Sequence, residues 1–253
     1  MLNIALNTFK EIVRNKFLYL ILVFAFLFIV FSIALGKLTI GEGQKVITDF
    51  GIAMIEIFGL IGVLFVGSQL LFKEIEGKTI FLILSKPIRR YEFIFGKFLG
   101  FVGVIFAIVF FQSICYLGVL YFQDIPIDSL LVMSLVFIFL KLVILIGLVL
   151  FFSTFMSNIL TIVISIMVYL IAHSFSLAID LANKTHNDLI INGAYILQGI
   201  FPPYQFMNFK DRIGSISLPT LTEYTTTSLH AVLFLMIILV FTTLIFNKKK
   251  FEN

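Results

Sequence analysis

Glu56 and Lys141 sit inside runs of apolar residues long enough to cross a membrane, which makes them the first candidates for chemistry in this 253-residue chain. A charge near the centre of a membrane helix costs about 2.5–3.5 kcal/mol, whereas each Leu, Ile, Phe or Val returns ~0.3–0.6 kcal/mol, so both runs still insert. Charges kept at that cost face a cavity or each other. Counting ~1.5 Å per residue from outer ends at Phe50 and Leu130 puts Glu56 ~9 Å deep and Lys141 ~16 Å deep, a difference the lysine stem covers. The two residues are expected to form a structural pair, to have Glu56 line a pathway, or to serve unrelated ends. His173 and Asp180, two helical turns apart in the fifth apolar run, share a face near its outer end. A lone histidine there is expected to be packed or wetted rather than catalytic. His186 and His230 make no metal-ligand spacing, and no metal site is expected.

Polar groups concentrate again between Lys73 and Lys97. After Leu70-Leu71-Phe72, the charges of Lys73, Glu74, Glu76 and Lys78 force the chain into water or the headgroup layer. Gly77 loosens that helix end, and Thr79 caps a short helix whose Ile80-Phe81-Leu82-Ile83-Leu84 run is too short to span. Pro87 ends it by disfavouring helical geometry at Lys86. Such an element either rests in the inner leaflet as half a reentrant helix or fills a groove on a soluble partner. Gly77-Lys78-Thr79 reads like the end of a phosphate-binding loop, but Phe72 stands where that loop requires glycine, and no strand leads into it. With no HExxH, no paired catalytic cysteines and no Gly-x-Ser-x-Gly, no catalytic residues are expected, and the chain is read as a non-enzyme.

The elements that must carry these residues follow from composition. The chain is 60% apolar and 13% charged, with a mean hydropathy of +1.13, against roughly 45–50% and about 25% in soluble proteins. Six spans are expected at about 17–35, 50–72, 98–122, 130–152, 159–181 and 229–246. They should be helices, because a helix satisfies its own backbone polar groups in lipid. The fold class is therefore all-α membrane protein, read as one domain over residues 1–253. Residues 3–16 alternate Ala5, Phe9, Ile12 and Val13 with Asn7, Lys10, Glu11 and Arg14, which predicts a helix lying along the inner leaflet rather than a cleavable signal.

Of the 18 Lys and Arg residues, Lys10, Arg14, Lys16, Lys73, Lys78, Lys86, Arg89, Arg90, Lys97 and Lys248 to Lys250 fall on the side of the N-terminus, and Lys37, Lys45, Lys184, Lys210 and Arg212 on the other. That bias predicts both termini in the cytoplasm, and it accounts for the net charge of +4 without a nucleic-acid partner. Cys115 lies alone in an apolar run and cannot form an intramolecular disulfide. The long outer loop 181–228 contains Pro202-Pro203, which stop any helix. One or two short helices at the outer surface are expected there, either covering the spans or contacting what passes.

The order of these features resembles the coupling region of ABC-2 type transporter permeases. Glu74, Glu76, Gly77 and Thr79 match that family's acidic-Gly-Thr element, Leu84, Ser85 and Pro87 its following turn, and Arg89 and Gly96-Lys97 its basic residue and the start of span three. Pro202-Pro203-Tyr204-Gln205-Phe206-Met207-Asn208 resembles a stretch in the branch that includes nitrous-oxide-maturation permeases. The resemblance implies an elbow helix, six spans and a cytoplasmic coupling helix in which Phe81 belongs to the docking face. It implies a separate ABC ATPase subunit that holds ATP and Mg, no cofactor on this chain, and a homodimer or a pairing with a second permease. Export across the cytoplasmic membrane of a prokaryote is the direction and place it suggests. An ion-coupled secondary transporter using Glu56 and Lys141, or a non-transporting assembly scaffold, would share the topology.

Overall fold

The computed structural model describes residues 1–77, 89–184, 187–214 and 218–249. Among them are eight α-helices: α1 (Leu2–Val13), α2 (Lys16–Leu38), α3 (Gly43–Glu76), α4 (Arg90–Phe122), α5 (Ser129–Ser153), α6 (Asn158–Lys184), α7 (Asp188–Ile200) and α8 (Leu221–Lys248). Six of them, α2 to α6 and α8, are long and apolar enough to cross a membrane, and each contains one of the expected spans. The protein is an all-helical, multi-pass membrane protein. The coupling helix expected around Thr79, Phe81, Leu84, Ser85 and Pro87, like His186, lies outside the described residues.

Polar residues set the helix ends. The Asn15 side chain accepts from the Phe17 N–H at 3.0 Å to start α2, Glu92 accepts from the Arg89 N–H at 3.2 Å to start α4, and Thr220 accepts from the Glu223 N–H at 3.3 Å to start α8. Each bond satisfies a donor that the first helical turn leaves open.

The centre of the bundle is α3, α4 and α5. Helix α5 is buried on nearly every side, with Leu142 to Leu150 an unbroken buried run. The outer helices α2, α6 and α8 bury one stripe each and expose Phe24, Phe31, Leu170, Ile171, Leu233 and Ile237, the apolar surface a span presents to lipid. Helix α1 crosses α4 over Gly96 and Gly100. A Cβ at Gly96 would come 2.8 Å from the Ile4 Cβ, and one at Gly100 2.5 Å from the Ala5 carbonyl oxygen. Small residues one turn apart let the two backbones meet.

At the α1 end, Arg90 donates to the carbonyls of Phe246, Asn247 and Lys249 at 3.0, 3.0 and 3.1 Å. A cation at the C-terminus of α8 is favoured by the exposed carbonyl dipoles there. Lys249 donates to the Thr154 carbonyl at 2.6 Å, tying the last helix to the end of α5.

At the opposite end, α7 buries none of its residues. The chain after it behaves differently from a surface loop. Pro202-Pro203 end α7, and two single-turn 3-10 helices, Tyr204–Met207 and Phe209–Arg212, turn back into the bundle with Tyr204, Met207 and Phe209 buried. Phe201 packs on Phe175 at 5.3 Å between ring centroids, and Phe209 sits 4.5 Å from Phe137 and 4.7 Å from Tyr224. The loop is a plug anchored to α5, α6 and α8.

Candidate functional site

Helices α3 and α5 meet at Gly59 and Leu142, where a Cβ on Gly59 would run into the Leu142 side chain. That close approach brings together the residues one turn and one position away, Glu56 and Lys141. Their depths agree better than the sequence suggests, because α3 starts at Gly43 rather than at Phe50. Counted from the helix starts at ~1.5 Å per residue, Glu56 lies ~20 Å along α3 and Lys141 ~18 Å along α5. The Lys141 Nζ is 2.8 Å from Glu56 Oε1, with side chains 1% and 5% exposed.

Other elements complete the cluster. From α6, the Tyr169 hydroxyl donates to Glu56 Oε1 at 2.6 Å, and His173 Nε2 lies 3.3 Å from Lys141 Nζ. The His173 Nδ1 is 3.0 Å from the Tyr169 carbonyl, and its Nε2 also lies 3.7 Å from Glu56 Oε1. From the plug, the Asn208 side-chain oxygen also accepts from Lys141, and Lys210 pairs with Glu56 Oε2. Lys141 thus donates to Glu56 and Asn208 and lies against His173. Glu56 holds two lysines and a phenol, which is the condition for keeping a carboxylate ionised in so buried a place. Tyr204 lies against the rings of Tyr169 and His173 at 5.1 and 5.4 Å. Burial pushes its hydroxyl well above the usual phenol value, so it stays neutral.

Taken together, Glu56 ties α3, α5, α6 and the plug at one point. The arrangement holds charge in place and offers no activated nucleophile and no set of metal ligands among the described residues. Asp180, expected to share a face with His173, is exposed and takes no part in it. The sequence pointed to Glu56, Lys141 and His173 but not to Tyr169 or Lys210, and it marked Asn208 only as the end of the Pro202 to Asn208 stretch. Tyr169 and His173 stand one turn apart on α6, and that spacing was a usable signal. Lys210 carried none, since a lysine in a long outer loop reads as solvated.

The other candidate residues that are described, Glu74, Glu76, Gly77 and Arg89, lie at the α1 end. Glu74 turns inward, and its Oε1 is 2.7 Å from Lys97 Nζ on α4, which also meets Glu11 of α1 at 3.4 Å. Lys97 is buried with its side chain 4% exposed, so this pair of motif residues joins α3 to α4 at the base of the segment between them. Glu76, Gly77 and Arg89 are exposed, with Arg89 donating to the Tyr91 hydroxyl at 3.2 Å.

A family model described as ABC-2 family transporter protein matches residues 2–251. No curated protein matches the chain significantly.

Proposed function

The chain belongs to the ABC-2 transporter family and is a membrane-spanning permease component of an ABC transporter; from that premise we propose that it exports its cargo under the drive of a separate ATPase subunit. In this reading ATP and Mg are held by the partner, and this chain binds no cofactor. Two copies, or one copy and a second permease, enclose the path. Both termini lie in the cytoplasm of a prokaryote, so the α1 end faces the ATPase and the plug faces outward.

The ATPase docks on the segment that carries Thr79, Phe81, Leu84, Ser85 and Pro87, with the exposed Glu76, Gly77 and Arg89 at its edges. Closure of the ATPase moves this segment and, with it, the joined ends of α3 and α4. The observation that carries the proposal is the placement of ion pairs on α3, which holds Lys97 near one end and Lys141 with Lys210 deep in the bundle. A shift of α3 at its docking end is thereby felt by the plug that closes the other end. An ion-coupled carrier is less well supported, because its carboxylate must exchange a mobile cation and Glu56 is already held by two lysines.

The test is co-purification with an ATPase encoded beside this chain, followed by ATP hydrolysis and transport in liposomes. Glu76→Ala or Pro87→Ala should leave the spans folded and separate hydrolysis from transport. Normal transport by variants that still bind the ATPase would remove the assignment of this segment.

A further inference from the structure

The plug and the start of α3 flank an open pocket of about 580 Å³ lined by Lys45, Asp49, Ile52, Lys210, Asp211, Ile213 and Gly214. Its volume is that of a small-molecule site, but its walls are charged rather than apolar. Its floor is built, since Lys210 reaches through it to the buried Glu56. Among the described residues, Lys45, Asp49 and Asp211 take part in no ion pair within 4.0 Å. Asp49 is nonetheless within electrostatic reach of Lys45, Asp211 and Lys210. Two carboxylates and a lysine are thus held close together without direct partners.

The charges cancel. Lys45, Lys141 and Lys210 stand against Asp49, Glu56 and Asp211, so a bare anion or a bare cation would leave the region unbalanced. A ligand carrying both signs would not. We propose that this pocket binds a small zwitterion, with an acidic oxygen group on Lys45 and Lys210 and a primary ammonium between Asp49 and Asp211. An acid at Lys210 also draws that lysine away from Glu56 and loosens the plug. The inference goes beyond the permease reading, and its test reads binding alone, so either can fail without the other.

The chemistry is shared by a free amine-bearing acid and by the headgroup of an ethanolamine phospholipid. The test uses the full chain in phosphatidylglycerol nanodiscs, with phosphoethanolamine as the probe in titration calorimetry. Phosphoethanolamine should bind at least about tenfold more tightly than inorganic phosphate or ethanolamine, because each of these lacks one charged contact. Lys45→Gln and Asp49→Asn, both at exposed positions outside the Glu56 cluster, should each weaken binding about tenfold while leaving the ligand-free thermal midpoint unchanged. In phosphatidylethanolamine nanodiscs the probe should be excluded if the lipid is the ligand, and should bind undiminished if the free zwitterion is. No binding in phosphatidylglycerol, equal binding of phosphate alone, or indifference to both variants would overturn the inference.

Discussion

Glu56 and Glu74 stand on one face of α3, eighteen residues apart, and each holds a lysine from another element. Eighteen residues are about five turns, ~27 Å on a regular helix, which returns the side chains to the same direction. One helix therefore carries an ion pair at the base of the proposed docking segment and another at the plug. The relation gives the coupling proposal a physical carrier, a continuous helix rather than a chain of loops.

Glu56→Gln should destabilise the protein by roughly 3–5 kcal/mol, because it leaves two lysines without their counter-charge. Glu56→Gln combined with Lys141→Met should cost less than the two single changes together, since the buried pair goes as a unit. Thermal unfolding in detergent measures both.

Tyr169 and Tyr204 separate the worth of a hydroxyl from that of a ring. The Tyr169 hydroxyl donates to Glu56 at 2.6 Å, whereas that of Tyr204 is buried without a hydrogen-bond partner among the described residues. Tyr169→Phe should cost about 1.5–3 kcal/mol and Tyr204→Phe should be neutral or slightly stabilising. The same unfolding curves decide it.

At the crossing of α1 and α4, Gly100→Leu should force the helices apart at a cost of about 1–3 kcal/mol. Gly118, which has open space where a Cβ would stand, is the control on the same helix, and Gly118→Leu should leave unfolding unchanged. Limited proteolysis should cut after Lys10 or Arg14 faster in the Gly100 variant alone.

The two acidic residues of the proposed docking motif should part company. Glu74 is inward and paired with Lys97, while Glu76 is exposed. Glu74→Gln should lower the thermal midpoint as well as coupling, and Glu76→Gln should lower coupling alone. Unfolding and ATP-driven transport, measured on the same preparations, separate the two roles.

Much of the fold was legible because the membrane imposes it. Apolar runs of spanning length locate the six helices, and the amphipathic leader predicts α1. The Glu56–Lys141 pair was legible as one of several options, because a buried charge must find a partner. The plug was not. Phe201, Tyr204 and Phe209 pack on aromatic partners of α5, α6 and α8, and contacts between residues so far apart in sequence leave no local period to read. Lys210 was hidden for the same reason, its partner Glu56 lying on the second span.

The most direct test of the account is the distance across the plug as the ATPase turns over. With Cys115→Ser as background, spin labels at Gln44→Cys on α3 and Arg212→Cys on the plug would be read by pulsed electron resonance in the complete reconstituted complex. The account predicts a distance that changes when nucleotide is trapped on the ATPase, and a change that is lost with Pro87→Ala. An unchanged distance in a complex that hydrolyses ATP and transports would contradict it.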